Sequence, residues 1–443
     1  MNKCIRLQIQ LNDDHIDIKK LYKELWDIQY KTRTACNFAM NLQYNELMRK
    51  QAEKLENVEF KKDKELYGKS FGAWIENRMN EYMDGCSSAN VAQTRQFATN
   101  KANFNPIDIL KGEKTLTTFK QDIPVFIHNK SYKIWINDNK EYNVEMTLFN
   151  REKKKELNVK RINFKFVKPD GNCKSTLGKM MSGEYKQGSG QITWSKRKKK
   201  WMFTMSFSFE PKPKELDENK IMGVDLGIVN VATMSVYNEN INNYERMNWK
   251  EQKIDGAELI KYRQRTEARR KELSIASKWA SENKIGHGYK QRMSDANKVG
   301  DKYERFRDTY NHKVSRYIVD LAEKYECGII QMENLSGFSE QQTESLLKNW
   351  SYYDLQSKVK YKAEEKGIKF ILIDPRYTSK RCSRCGCIHN DNRDCKTNQS
   401  KFKCVECGYE ENADINASKN IAIRDIDEII KNKLNQVNTQ TCL

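Results

Sequence analysis

Three acidic residues stand where an apolar strand or a helix start gives no obvious reason for one. Asp225 ends the run Ile221-Met222-Gly223-Val224 and is followed by Leu226-Gly227. Glu333 ends the apolar run Gly328-Ile329-Ile330-Gln331-Met332, and Asp414 lies in Asn412-Ala413-Asp414-Ile415-Asn416-Ala417, at the start of a helical pattern. A buried carboxylate is costly unless it is paired, hydrogen bonded or bound to metal. Near a helix start the dipole also favours an anion. Taken singly, each could be an ordinary strand-end or turn residue with a hydrogen-bond partner. Taken together, three carboxylates at element ends can converge on two Mg²⁺ ions, with Mn²⁺ as an alternative, because hard cations take oxygen ligands. Two such ions roughly 4 Å apart would activate water and stabilise the leaving 3′ oxygen of a phosphodiester. The five histidines are dispersed, which argues against a histidine-based zinc hydrolase. No Walker A motif is present, which argues against an ATP-driven partner activity.

A second constellation is made of sulfur. Six of the 12 cysteines fall between Cys382 and Cys407; the other six are scattered and read as small buried hydrophobes. Cys382-Ser-Arg-Cys385 and Cys404-Val-Glu-Cys407 are two C-x2-C knuckles separated by 18 residues. Gly386 and Gly408 follow them, where a tight turn needs positive φ. Four thiolates make a closed tetrahedral site, so one structural Zn²⁺ is expected on Cys382, Cys385, Cys404 and Cys407. Cys387, His389 and Cys395 lie inside the loop and could substitute, but their spacing is poorer.

Elements must hold these residues in place. Residues 3–11 alternate polar and apolar, a half-buried strand. Residues 18–55 and 71–104 carry helical spacing. Runs at 124–127, 133–136, 143–149, 161–167, 190–194 and 201–209, punctuated by turn residues such as Asn137-Asp138-Asn139 and Gly188-Ser189-Gly190, predict a β-barrel that shares the first strand. Pro211-Lys212-Pro213 reads as a linker. Beyond it come one apolar strand over 221–233, a basic helix over 255–273, and a turn over 282–300 containing Gly286-His287-Gly288. A helix over 303–325, a strand over 328–332, a helix over 352–366 and a strand over 368–373 complete an α/β layer pattern. Tyr22, Trp26 and Tyr30, at i, i+4 and i+8, could stack on bases; a helix core stripe is the expected role.

The 443 residues carry a net charge of +20, which favours a polyanionic partner through counterion release. Two basic groups are candidate nucleic-acid contacts: Lys196, Arg197, Lys198, Lys199 and Lys200 between Trp194 and Trp201, and Arg263, Arg265, Arg269 and Arg270 on the helix after the first acidic strand. Either group could instead be a solvated charged face. No window approaches the roughly 20 apolar residues of a membrane span, and the first ten residues lack a secretory pattern. A soluble cytoplasmic chain of a prokaryotic cell, with no membrane partner, is expected.

In chain order, Gly223-Val-Asp225-Leu-Gly227, Met332-Glu333-Asn334-Leu335, Asp374-Pro-Arg-Tyr-Thr-Ser379, the two cysteine knuckles and Asn412-Ala-Asp414-x-Asn416-Ala417 resemble the transposon-encoded TnpB nucleases and their descendants, the type V CRISPR effectors. The compact type V-F effectors are the best match, supported by Phe306-Arg-Asp-Thr-Tyr-Asn-His312, Asn349-Trp-Ser-Tyr-Tyr-Asp-Leu355 and Tyr361-Lys-Ala-Glu-Glu-Lys-Gly367. The resemblance is specific over residues 216–425 and looser before them. It implies an α/β and α+β multidomain chain: a split RuvC-like nuclease domain of RNase H fold with an inserted zinc ribbon, plus a wedge β-barrel and a small helical recognition domain. The implied division is 1–16 for the first wedge strand, 17–115 for the recognition helices, 116–213 for the wedge, 214–375 and 412–443 for the nuclease, and 376–411 for the ribbon.

The resemblance further implies Asp225, Glu333 and Asp414 as Mg²⁺ ligands and Arg393, in the ribbon loop, as an assisting cation. The partners it implies are a guide RNA (CRISPR RNA with a partner RNA) and double-stranded target DNA beside a short T-rich flanking motif, with two copies of the chain on one guide. Some relatives carry an extra N-terminal finger; Cys4, Cys36 and Cys86 are isolated and do not form one. A TnpB nuclease guided by transposon-end RNA is the near alternative, and a non-cutting RNA-guided DNA-binding protein the distant one.

Overall fold

A computed structural model describes residues 1–13, 16–56, 61–102, 104–211, 215–279, 293–335, 352–393 and 398–440. The chain forms two compact units, Met1–Glu210 and Pro211–Leu443, with the division at the proline-containing linker.

The first unit is built on seven strands: β1 (Asn2–Leu11), β2 (Val125–Ile127), β3 (Tyr132–Ile136), β4 (Tyr142–Met146), β5 (Ile162–Phe166), β6 (Lys186–Ser195) and β7 (Lys200–Ser208). They lie in the order β2-β6-β7-β1-β5-β4-β3, all antiparallel. β1 pairs with β7 through Gln8 and with β5 from Ile9 onward, which curls the sheet around its inner face. Ile5, Leu7 and Ile9 of β1 point into that core. The expected barrel is thus a curled sheet in which the end strands β2 and β3 do not pair with each other.

Among the described residues, seven helices complete the unit: α1 (Ile18–Leu55), α2 (Asp63–Tyr67), α3 (Phe71–Tyr82), α4 (Ser88–Asn100), α5 (Pro106–Leu110), α6 (Arg151–Leu157) and α7 (Gly171–Met181). Asp17 caps α1 by accepting from the amides of Lys19 and Lys20. The helical stretch expected over 71–104 is two helices, because Gly85 turns the chain at φ +82°. The buried stripe of α1 is Leu21, Leu25, Ile28, Thr32, Ala35 and Ala39. That stripe leaves Trp26 44% and Tyr30 61% exposed, so they are not the core residues the sequence led us to expect.

In the second unit β8 (Asp217–Asp225), β9 (Asn230–Asn238), β10 (Asn243–Tyr244), β11 (Lys253–Asp255), β12 (Cys327–Glu333) and β13 (Lys369–Ile373) form one sheet. Its order is β10-β9-β8-β12-β13, with β11 on β9. β8, β12 and β13 run parallel, while β9 is antiparallel to β8. The single strand expected over 221–233 is therefore a hairpin, β8 and β9, broken after Asp225. α8 (Trp249–Gln252), α9 (Ala257–Trp279) and α10 (Ser294–Lys324) precede β12, and α11 (Tyr352–Lys366) crosses from β12 to β13. Residues 294–300, expected in a turn, open α10 instead; Gly286-His287-Gly288 lies outside the described residues. A small hairpin, β14 (Lys401–Lys403) and β15 (Glu410–Asn412), leads into α12 (Ala413–Ile421) and α13 (Ile426–Gln440).

Strand alternation sorts the sheet's two faces. Met222, Val224, Ile330 and Met332 pack with Val314 and Ile318 of α10 and Leu355 and Val359 of α11. Gly223, Asp225, Gln331 and Glu333 belong to the other face, which α12 covers. No helix among the described residues is long and apolar enough to cross a membrane.

Candidate metal centres

Asp225 and Glu333 are the last residues of neighbouring parallel strands. The register pairs Met332 with Val224, so the two carboxylates emerge side by side at the carboxyl edge of the sheet. Open α/β sheets place their ligand sites at this edge. Asp414 arrives from a different element. It is the second residue of α12, whose start is capped by Asn412 accepting from the Ile415 amide at 3.3 Å.

α12 reaches the site because β8 has a glycine beneath it. A Cβ at Gly223 would lie 2.3 Å from both the Ser418 carbonyl oxygen and the Ala422 nitrogen. The same contact is fastened by a buried Ser235–Ser418 hydroxyl hydrogen bond of 2.7 Å. Asn230, at the start of β9, donates to the Asp414 carboxylate at 2.7 Å. The three carboxylates singled out from the sequence thus share one end of the sheet, near enough for Glu333 and Asp414 to act on the charge of Asp225.

Their electrostatics record the crowding. Burial pushes the Asp225 carboxyl well above the carboxylate range; Glu333 and Asp414 push it further, while Arg393 pulls it down. Glu333 is 8% exposed, and burial raises it to about 7. The Thr378 hydroxyl, donating to Glu333 Oε1 at 2.5 Å, and Arg393 oppose that rise, and Asp374 adds to it. Asp225 keeps partial exposure and has no hydrogen-bond donor among the described residues. With Asp225 and Glu333 both held above the carboxylate range, an all-oxygen acidic set of this kind suits hard divalent cations.

Arg393 stands beside this group, its Nη2 3.9 Å from Asp414 Oδ1. The buried side chain of Asn392 sets its place: it donates to the Lys380 carbonyl at 2.9 Å and accepts from the Val405 amide at 2.9 Å. Tyr352, buried at the start of α11, has its phenol pushed up first by that burial and then by Asp225 and Glu333.

The four expected cysteines form the second centre. Their sulfurs all lie within 4.8 Å of one another, with Cys382–Cys407 at 3.7 Å and Cys385–Cys404 at 3.6 Å. A tetrahedron with Zn–S bonds of about 2.3 Å has edges of about 3.8 Å, so these thiols already hold zinc spacing. Gly386 and Gly408 take φ of +75° and +68° and close the two knuckles, donating to the Cys382 and Cys404 carbonyls. Burial works against the Cys404 thiolate, yet the amides of Cys407 and Glu406 help hold this thiol down to about 7. Cys387 and His389 stay outside the group, and Cys395 lies outside the described residues.

The two centres are joined by the side-chain amides of Asn416, which stands in a motif but was given no role above, and of Asn420, which the sequence did not single out. Asn416 accepts from the Ser383 amide at 3.0 Å and donates to the Arg381 carbonyl at 2.9 Å. Asn420 donates to the carbonyls of Thr378 and Arg381, and Arg381 donates back to it at 2.6 Å. Hence α12, which carries Asp414, is tied to the first knuckle and to the Thr378 that orients Glu333. Their fully buried polar side chains on an amphipathic helix were the available signal.

The basic candidates divide. Lys196, Arg197, Lys198, Lys199 and Lys200 are all exposed in the β6–β7 turn, and Lys196 reaches Asp122 at 3.5 Å. Arg265, Arg269 and Arg270 are exposed on α9. Arg263 is not a surface cation: it is 1% exposed and pairs with Glu267 at 2.8 Å. It lies one turn after the buried Leu259, on the face of α9 turned toward α10.

Comparison with known proteins places this arrangement. The family model described as Cas12f1-like, TNB domain, matches residues 352–421, spanning α11 to α12 and the four cysteines. The CRISPR-associated endodeoxyribonuclease Cas12f1 of Sulfoacidibacillus thermotolerans is 37% identical over 94% of this chain and 96% of its own. That of Syntrophomonas palmitatica is 33% identical over 73% of this chain and 70% of its own. In fold, the chain resembles the protein in a cryo-EM structure of a Cas12f1-sgRNA-target DNA complex, with a TM-score of 0.72 at 20% identity, covering 96% of this chain and 99% of that one. With identity at this level over nearly its whole length, the chain belongs to the Cas12f1 family.

Proposed function

We propose that the protein is an RNA-guided, Mg²⁺-dependent DNA endonuclease of CRISPR immunity, cutting double-stranded target DNA next to a short T-rich flanking motif. One observation carries the reading. Three carboxylates from β8, β12 and α12 converge beside an arginine, in a chain 37% identical to a Cas12f1 endodeoxyribonuclease over 94% of its length. The second unit is read as a RuvC-like nuclease domain of RNase H fold with the ribbon inserted before its last helices. The curled sheet and α1 to α5 are read as wedge and recognition elements that hold the guide.

Asp225, Glu333 and Asp414 would hold two Mg²⁺ ions, which when bound supply an activated water and charge stabilisation for the leaving 3′ oxygen. Thr378 fixes the Glu333 carboxylate and Asn230 that of Asp414, so both present oxygens from set directions. Arg393 adds a fixed positive charge where the scissile phosphate would gather negative charge. The four-cysteine ribbon would hold one structural Zn²⁺ and keep α12 seated. The exposed turn 196–200 and Arg265, Arg269 and Arg270 would follow nucleic-acid backbones, leaving sequence choice to base pairing. Two copies on one guide complete the assembly.

The test is to purify the protein from its native locus and sequence the RNA that accompanies it. Repeat-and-spacer RNA with a structured partner RNA supports the reading. A single transposon-end species would move it to the TnpB alternative, and no enriched RNA would defeat it.

A further inference from the structure

The ridge of α1 that the core leaves uncovered is chemically unusual. Trp26 is 44% and Tyr30 61% exposed, one turn apart. Neither is loose. Trp26 rests on Trp194 and Trp201 with ring centroids 5.5 and 4.9 Å away, and Arg33 lies 5.0 Å over the Tyr30 ring. Trp194 and Trp201 are a cross-strand pair of β6 and β7, one residue pair before the basic turn. In that turn residues 197–200 are exposed and make no ion pair among the described residues. Lys23, one turn before Trp26, is likewise exposed and without an ion pair among the described residues. The result is a braced aromatic surface flanked on two sides by unneutralised cations, all within the first unit.

We propose that this surface is a stacking platform for unpaired nucleotides of the bound RNA; this rests on the guided-nuclease reading above. Exposed rings offer faces to bases, and cations beside them take the phosphates; this pairing is how proteins hold single strands. The interior of a duplex cannot use it, because its stacked bases hide their faces. The occupant is RNA rather than DNA because sequence-specific and structural RNA contacts are made to unpaired bases splayed out of loops, bulges and ends, which a resident guide supplies. In a guided nuclease the guide is resident and the DNA visits.

The experiment measures guide-RNA affinity by filter binding over a salt series for the full chain, together with target-DNA binding by the preformed complex. The variants are Tyr30→Ala, Trp26→Ala, Trp26→Phe and Lys198→Ala/Lys199→Ala. Loss of either ring is expected to weaken RNA binding about 10-fold with an unchanged salt slope, and Trp26→Phe to retain most of the affinity. The double lysine variant is expected to reduce the slope by about 1.4, the value for two contacts to a single strand. Tyr30 is surface-exposed, so its removal leaves the fold intact even if Trp26→Ala does not fold. RNA affinity unchanged in Tyr30→Ala and Trp26→Ala overturns the platform. A loss confined to target-DNA binding overturns it too, assigning the surface to DNA. Wild-type protein that binds no RNA defeats the guided-nuclease reading itself, a result distinct from either.

Discussion

Gly223→Ala is the smallest change that should separate the three carboxylates. The added Cβ would lie 2.3 Å from the Ser418 oxygen and the Ala422 nitrogen, where ordinary contact begins at 3.4 Å. Both obstacles are backbone atoms of the α12 segment, so no side-chain rotation relieves them, and the helix must retreat by about 1 Å. Overpacking of this kind costs about 2 kcal/mol. For a unit of this size that lowers the melting temperature by roughly 6 °C. The larger effect is on the reaction, since α12 carries Asp414: a misplacement of about 1 Å can cost on the order of 100-fold in rate. The assay is single-turnover cleavage with saturating guide and target, alongside thermal melting. Gly178→Ala is the control, because its Cβ meets nothing within 4 Å. If Gly223→Ala melted normally and cut within twofold of wild type, the packing argument would be refuted.

Further expectations concern the two centres and the basic face. Glu333 holds its proton up to about 7 in the fold, against 4.5 ordinarily. A raised acid binds the proton better folded than unfolded, so the metal-free protein loses stability from this group as pH rises from 4.5 to about 7. The loss is on the order of 3 kcal/mol. Glu333→Gln should lack that loss, and so gain on wild type as pH rises; identical pH–melting profiles in metal-free buffer would contradict this. Cys404→Ser should lose zinc by metal analysis and melt at a lower temperature, whereas Cys387→Ser should keep one zinc per chain. Arg263→Ala should lower the melting temperature without changing the salt dependence of nucleic-acid binding. Arg265→Ala should do the reverse, reducing the slope by about 1.

The parts of the fold that could be read from the sequence were those with a single clear period. Helix 352–366 and the buried strand ending at Glu333 have that period and lie where it put them. The β8–β9 hairpin was hidden because apolar residues continue through Leu226, Ile228, Val229 and Val231, and only Gly227 and Asn230 interrupt them after Asp225. Arg263 was misread because a charge run draws attention away from helical phase. Its spacing of four from Leu259 places it on the buried face, where its stem packs and its head pairs with Glu267. Trp26 and Tyr30 were misread for the converse reason: the denser stripe through Leu21, Leu25 and Ile28 had already claimed the core.

The candidate site was legible in its charged and sulfur-bearing residues, because an acid in an apolar strand and paired cysteines have few other uses. Its support was not. Asn392, Asn416, Asn420 and Thr378 act through hydrogen bonds between segments distant in sequence, and those partners exist only in the fold.

The measurement closest to the central claim is cleavage of target DNA by the guide-loaded Asp414→Ala protein in Mg²⁺, with guide and target binding measured on the same sample. Asp414 shares only the assembled site with Asp225 and Glu333, since it comes from a separate helix. The account predicts cleavage reduced by on the order of 1,000-fold or more, with both binding steps intact. Full cleavage by that protein would contradict the three-carboxylate centre.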